Sequence, residues 1–328
     1  VRLRRTIVRR HDEDPYDAIY QFSSIESPAV PPRLLRTVPL VIHPETHSAG
    51  ELRSLIAERR LSLRCQPRHR FVTVAAIMLL RALVQRRRIR RARMLVCISE
   101  VFRDHLVRDY GFPRADTVVV PNPVSLVRFS ASQRPLGDPA LVLVLGRIAA
   151  RKGLETVVAT AKELQQRDAP VRIRVVGGPS LWSDYTALLD DLPAQNAEYA
   201  GAIAGSEIPA ELARADLLVQ ASHYEPFALT VAEALASGVP VIATSEVGAI
   251  ERVERSVCAC VAPADANALT ASILEMRERM ASDAPRMRAA ARQQAERLFA
   301  PEIVCEQIST ALERLVASAP VHAPAKAA

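Results

Sequence analysis

The chain has 328 residues, a hydrophobic fraction of 49% and a formal net charge of +7 carried mainly by arginine, which is enough for two domains of ordinary size. Aromatic residues make up only 4%, which argues against a stacking platform for single-stranded nucleic acid. The charge favours phosphate-bearing ligands, a membrane surface or nucleic acid without choosing among them, and no nucleic-acid module is recognisable in the sequence. Cys65, Cys97, Cys258, Cys260 and Cys305 are scattered and lack zinc spacing, which fits free thiols in a reducing cytoplasm.

In chain order, the first half predicts helices at Val1–Arg10, Gly50–Arg60, Phe71–Arg91 and Val101–Tyr110. Apolar strands are expected at Ala18–Phe22, Pro39–Ile42, Met94–Ile98 and Thr117–Val120. Phe71 to Leu80, the longest apolar stretch, is too short to span a bilayer. Asp12-Glu13-Asp14 has the look of a metal-type Asp-x-Asp but falls at a helix-to-strand turn and is read as a cap. The chain opens without Met inside an Arg-rich helical pattern, so an amino-terminal piece is expected to lie outside it.

Arg134-Pro135-Leu136-Gly137-Asp138-Pro139 reads as a linker. Beyond it come strands at Leu141–Leu145, Val171–Val176, Ala197–Ala200, Leu217–Gln220 and Pro240–Thr244. Helices at Gly153–Arg167, Trp182–Leu192, Pro209–Arg214, Thr230–Ser237 and Ala266–Met280 alternate with them, and Ala319–Ala328 is a loose Ala/Pro tail. Buried strands separated by helices mean a doubly wound α/β domain, whose ligands sit beyond the carboxyl ends of its strands.

Two motifs lie at such ends. Gly146-Arg147-Ile148-Ala149-Ala150-Arg151-Lys152-Gly153 joins a strand to a helix. Arg147 and Lys152 there can hold a diphosphate as fork and point charge, although a solvated basic loop is an equal reading of this stretch alone. Glu225-Pro226-Phe227-Ala228-Leu229-Thr230 enters a helix that contains Glu233. Two carboxylates can grip sugar and ribose hydroxyls, and the free amides of Phe227, Ala228 and Leu229 can bind phosphate or sugar oxygens; a helix cap plus one surface Glu is the plainer alternative.

Together with Ile98-Ser99-Glu100, Asn122-Pro123 and Ser237-Gly238-Val239-Pro240, these motifs resemble glycosyltransferase family 4 over most of residues 16–318. The resemblance implies a GT-B fold: two Rossmann-like doubly wound domains facing a cleft, the amino-terminal one incomplete. It implies transfer of a sugar from a nucleotide-diphosphate sugar, UDP- or GDP-linked, to an acceptor hydroxyl with retention, without metal or cofactor. By the same resemblance Arg147 and Lys152 contact the diphosphate, beside Gly146. Glu225 holds sugar hydroxyls, with Pro226, Phe227, Ala228, Leu229 and Thr230 completing the site. Glu233 binds the ribose, Gly177 admits the nucleotide and Ile203 lies near the base. A histidine at the end of the Pro39–Ile42 strand meets the sugar; His47 is favoured and His43 is the alternative.

The departures are Ala228 in place of a usual glycine, Pro123 in place of another, and no match to the family's first strand and Gly-rich loop. The expected division is 1–134 for the partial acceptor-side domain, 135–301 for the donor domain, 302–318 for a helix returning to the first, and 319–328 for the tail. A nucleotide-sugar-binding module without turnover is the competing reading, and a basic peripheral membrane or nucleic-acid binder, whose binding would be strongly salt-dependent and would not need Glu225, ranks below both. The basic run Arg81–Arg93 is read foremost as a solvated helix face, with peripheral contact to the inner face of an anionic membrane as its alternative.

Overall fold

The structure, a computed structural model, describes residues 2–24, 30–180 and 184–318. The first lobe runs α1 (Arg2–Glu13), β1 (Ile19–Phe22), β2 (Leu40–His43), α2 (Ser48–Ala57), α3 (Arg59–Cys65), α4 (Arg68–Ile89), β3 (Met94–Cys97), α5 (Glu100–Tyr110) and β4 (Thr117–Val119). Its sheet is wholly parallel, in the order β1-β2-β3-β4. The second lobe runs β5 (Ala140–Leu145), α6 (Leu154–Gln166), β6 (Val171–Val176), β7 (Ala197–Tyr199), α7 (Ile208–Arg214), β8 (Leu217–Gln220), α8 (Leu229–Ala236), β9 (Val241–Thr244), β10 (Cys258–Val261) and α9 (Ala266–Phe299). Its parallel sheet has the order β10-β9-β8-β5-β6-β7. The last described helix, α10 (Pro301–Ser318), lays Val304, Ile308, Leu312 and Leu315 against Val41 and Val96 of the first sheet and Val120 just beyond β4.

The order of the second sheet puts its switch point between β5 and β8: the chain proceeds outward from β5 through β6 and β7, then returns to β8 and proceeds the other way. Loops leaving neighbouring strands there diverge and open a crevice. The loop after β5 carries Lys152 and the loop after β8 carries Glu225.

Predicted strands and helices are mostly found within two residues of their expected ends, with four differences. The helix expected over Gly50–Arg60 breaks at Glu58 (φ −87°, ψ 19°), so α2 and α3 are separate. The helix expected from Trp182 to Leu192 is a 3-10 segment, Thr186–Asp191. Trp182 lies outside the described residues; the Asp184 carboxylate accepts from the Thr186 amide and hydroxyl and starts the turn there. The helix expected to end at Met280 continues to Phe299 across a kink at Asp283, where the Asp283 side chain accepts from the Arg286 amide and re-caps the helix before Pro285 can disrupt it. Strand β10 is not expected from the sequence at all. Asp12 and Glu13, read as a cap, instead form the carboxyl-terminal turn of α1. No helix among the described residues is long and apolar enough to cross a membrane.

Candidate functional site

The loops at the switch point are tied to one another before any side chain is considered. Ile148 pairs with Pro179 and Glu225 with Val247 as isolated parallel bridges. Gly177 has φ +154°, and a Cβ there would fall 1.7 Å from the Gly146 carbonyl oxygen. The glycine is therefore demanded by the neighbouring loop, a reason distinct from the approach of a nucleotide. Gly146, at φ +153°, holds a backbone conformation that L side chains rarely adopt, with the Lys152 ammonium in ordinary contact distance beside it.

Glu225 is buried, and its Oε2 accepts from Arg151 Nη1 at 2.7 Å and from Lys152 Nζ. Burial pushes the Glu225 carboxyl up, but Arg151 and Lys152 outweigh it and hold the group down at about 2. Burial lowers the Lys152 ammonium against the opposing pull of Glu225. Both cations engage one oxygen, so Oε1 is the side from which Glu225 can accept from a ligand hydroxyl. Arg151 also donates to the Tyr224 carbonyl at 3.0 Å, which fixes its guanidinium in the crevice.

Between the lobes lies a cavity of about 400 Å³ whose lining includes Arg147, Arg151 and Ser180 from one side and Glu51, Met78 and Arg81 from the other. Arg147 is exposed into this space, and Arg81 Nε is buried without a hydrogen-bond partner. Three arginines against Glu51 make this an anion-attracting space. Arg151 joins it to the Glu225–Lys152 pair.

His47 is fully buried. Its Nδ1 stands 2.8 Å from the Tyr224 hydroxyl and its Nε2 stands 3.0 Å from Asp109 Oδ2. Burial lowers its pKa, against the pull of Asp109. The structure thus brings His47 to the residue next to Glu225, with its ring nitrogens facing protein groups. His43 is also buried, beside the Tyr20 hydroxyl, with Nε2 unpartnered; burial lowers it to about 4.

The remaining predicted residues are spread around the second lobe. The Pro226 carbonyl accepts from Ser99 Oγ at 2.7 Å and so ties the lobes together. Phe227 turns into the core, edge-on to Phe299. Ala228 is the residue before α8, with φ +75°, and caps nothing with its side chain, leaving the first-turn amides of Leu229 and Thr230 without side-chain acceptors. Leu229 is half exposed, and the Thr230 hydroxyl faces Gln220 Oε1 at 3.5 Å. Glu233 is half-buried one turn on, raised by burial and pulled back by Arg128. Ile203 packs partly against the core on the loop after β7. Sequence reasoning missed Arg151, Tyr224, Asp109 and Arg81. Arg151 stood inside the basic loop beside Lys152, a signal that could have found it; Asp109 offers no local signal.

Among the described residues Glu58, Glu155 and His223 each place one ligand-type atom within 4.8 Å of the others, but His223 Nε2 is already hydrogen-bonded to Glu155.

The family described as glycosyl transferases group 1 matches residues 128–295, just over half of the chain. The chain belongs to this family. A second description, glycosyltransferase family 4, matches residues 1–128, so the two matches meet at the junction between the sheets. Mannosylfructose-phosphate synthase of Agrobacterium fabrum is 31% identical over 169 residues, 46% of this chain and 37% of that protein. Glycogen synthase of Mycobacterium tuberculosis is 29% identical over 209 residues, 62% of this chain and 50% of that protein. The chain thus spans half or less of the length of these curated relatives.

Among solved structures, sucrose-phosphate synthase of Thermosynechococcus elongatus superposes with a TM-score of 0.69 at 20% identity, covering 97% of this chain and 78% of that one. HepE of Anabaena, solved with UDP, superposes at 0.64 and 21% identity, covering 96% and 82%. These likenesses bear out the GT-B fold: two parallel α/β lobes facing a cleft.

Proposed function

We propose that this chain carries the donor site of a glycosyltransferase that moves a sugar from a UDP- or GDP-linked donor to an acceptor hydroxyl with retention of configuration. The observation that supports this best is the arginine-lined space between the lobes, joined through Arg151 to the buried Glu225 and its partner Lys152 at the switch point of the second sheet. HepE, which shares the fold, is solved with UDP and with UDP-glucose.

In this reading Arg147, Arg151 and Lys152 face the diphosphate, and Glu225 Oε1 accepts from a sugar hydroxyl. The bond from the anomeric carbon to the diphosphate oxygen breaks while the acceptor oxygen bonds to that carbon on the same face. The acceptor proton passes to the departing phosphate oxygen. The fixed cations stabilise the charge that develops there, and a positioned donor of this kind is worth on the order of 10²–10³ in rate. His47, held by Tyr224 and Asp109, is assigned to positioning at the wall of the sugar site. Glu233 is assigned to the ribose.

The test is the melting temperature of the chain with UDP-, GDP- and ADP-sugars and with the free nucleotides. A ligand that binds only the folded state at a hundred times its Kd stabilises by about 2.7 kcal/mol. A rise of several degrees with one nucleotide series, abolished in Lys152→Ala, is expected. Unchanged melting with every nucleotide would sink the proposal.

A further inference from the structure

From Arg59 to Arg93 the sequence carries twelve arginines and no acidic side chain. Helix α4 runs through this stretch, and its faces differ sharply. Val74, Ala82, Gln85 and Ile89 are buried, while Met78 and Arg81 line the cavity between the lobes. On the opposite face Val72 (63%), Leu79 (51%), Leu80 (64%) and Leu83 (57%) are exposed, with Ala76 between them. Their spacing of three, four and seven places them on one stripe of the helix.

Isolated exposed leucines need no explanation, but a continuous apolar stripe ringed by one sign of charge does. Arg68 and Arg70 stand exposed at one end of this stripe, and Arg86 and Arg87 at the other. The basic run singled out in the sequence is only partly involved. Arg81 turns into the cavity, Arg88 donates to the Ser24 carbonyl, and Arg90 donates through Nε to the Tyr110 carbonyl.

We propose that the outer face of α4 docks on an anionic phospholipid bilayer, with Val72, Leu79, Leu80 and Leu83 entering the interface and the flanking arginines meeting phosphate headgroups. An apolar strip about three turns long, bounded by cations, matches the layering of a membrane surface, where acyl chains lie beneath an anionic plane. A second copy of the chain fits less well. A two-fold contact between antiparallel stripes would set Arg68 and Arg70 of one copy against Arg86 and Arg87 of the other. Docking would place the cavity wall formed by Met78 and Arg81 directly behind the lipid-facing helix. The proposal does not rest on the donor-site reading, because its test reads binding and not sugar transfer.

The experiment is co-sedimentation of the full chain with phosphatidylcholine vesicles and with vesicles that also contain phosphatidylglycerol. Binding to the anionic vesicles, weakened by salt, is expected. The triple variant Leu79→Ser, Leu80→Ser, Leu83→Ser should lower that binding by about tenfold or more. The Arg86→Glu, Arg87→Glu variant should lower it as well. These side chains are exposed, so melting curves by circular dichroism should match the parent chain. Charge alone draws a basic protein to such vesicles, so equal pelleting of the triple variant and the parent overturns the proposal. So does an absence of binding, and so does a lipid-free dimer that the triple variant dissociates.

Discussion

The two lobes share an architecture but not a quality of interior. In the second, β8 and β9 are buried at every position and β5 at all but one, so the loops they launch start from a rigid base. In the first, β2 is buried throughout and β3 at all but Met94, but half of the four strands are edges, where only Gln21 of β1 is buried and all of β4 is half-exposed. The second sheet has edges of the same kind in β7 and β10, with four strands between them. Polar satisfaction follows the same line. His43 Nε2, Ser48 Oγ, Ser54 Oγ, Gln66 Oε1, Arg81 Nε and His105 Nδ1 of the first lobe are buried without partners, against Glu155 Oε2 and Asn196 Oδ1 of the second. Charges that must be held in place, Glu225 and Lys152, belong to the lobe that can hold them.

Breaking the pair in the rigid lobe should have the largest effect. Glu225→Ala leaves the partly buried Arg151 and Lys152 facing each other without their carboxylate, and removing one partner of a buried ion pair costs about 3–5 kcal/mol. Urea unfolding should show that loss, whereas a loss below about 1 kcal/mol would mean the pair is solvated like a surface bridge.

The first lobe should show its weakness as a dependence on pH. His43 is depressed to about 4 from an ordinary value of 6.5 because burial disfavours its charged form. Between those values the unfolded chain binds the proton and the folded one does not. Stability therefore falls as pH drops from 6.5 to 4 and is flat below, by about 3 kcal/mol in all for this one group. The difference between parent and His43→Gln unfolding curves, measured across that window, isolates the contribution; a pH-independent difference would contradict the assignment.

Where the lobes meet, Gly50 sharpens the comparison. A Cβ there would stand 2.5 Å from Tyr224 Cζ and 2.6 Å from His47 Nδ1, with the Tyr224 ring reaching over from the rigid lobe. Gly50→Ala should cost about 1–3 kcal/mol as overpacking. If the rigid lobe holds Tyr224, His47 must give way, so the His47 ring proton resonance should move further than any signal from Glu225 to Leu229.

Legibility in the sequence does not follow that boundary: all four strands of the first sheet and five of the six in the second stand where they are expected. The second sheet could be read because buried parallel strands are continuous apolar runs, such as Leu141–Leu145, punctuated by glycine. Strand β10 escaped because Cys258-Ala259-Cys260-Val261 carries little β-branched character and leaves Ala259 partly exposed and Cys260 exposed. The far half of α9 escaped because Asp283 and Pro285 imitate a helix end, and only the Asp283 side-chain cap shows that the helix resumes. Glu225 and Lys152 were legible as motif residues. The contact of His47 with Asp109 was not, since its partners are brought together by the packing of α5 on the lobe and leave no spacing to read.

The smallest effect concerns the residue where this chain departs from the family's glycine. Ala228 sits at φ +75° and ψ 84° immediately before α8. A Cβ in the left-handed region costs roughly 1–2 kcal/mol. Replacing Ala by Gly returns that strain but adds about 0.4–1 kcal/mol of unfolded-chain entropy. The strain is the larger quantity, so Ala228→Gly should stabilise by about 0.5–1 kcal/mol, a rise of roughly 1–2 °C for a chain of this size. A fall in melting temperature would mean that the Ala228 methyl, buried in the core, packs well enough to repay its own backbone. In that case the alanine is an adaptation of the rigid lobe, and the loop that presents the Leu229 amide is held more firmly by it than a glycine would allow.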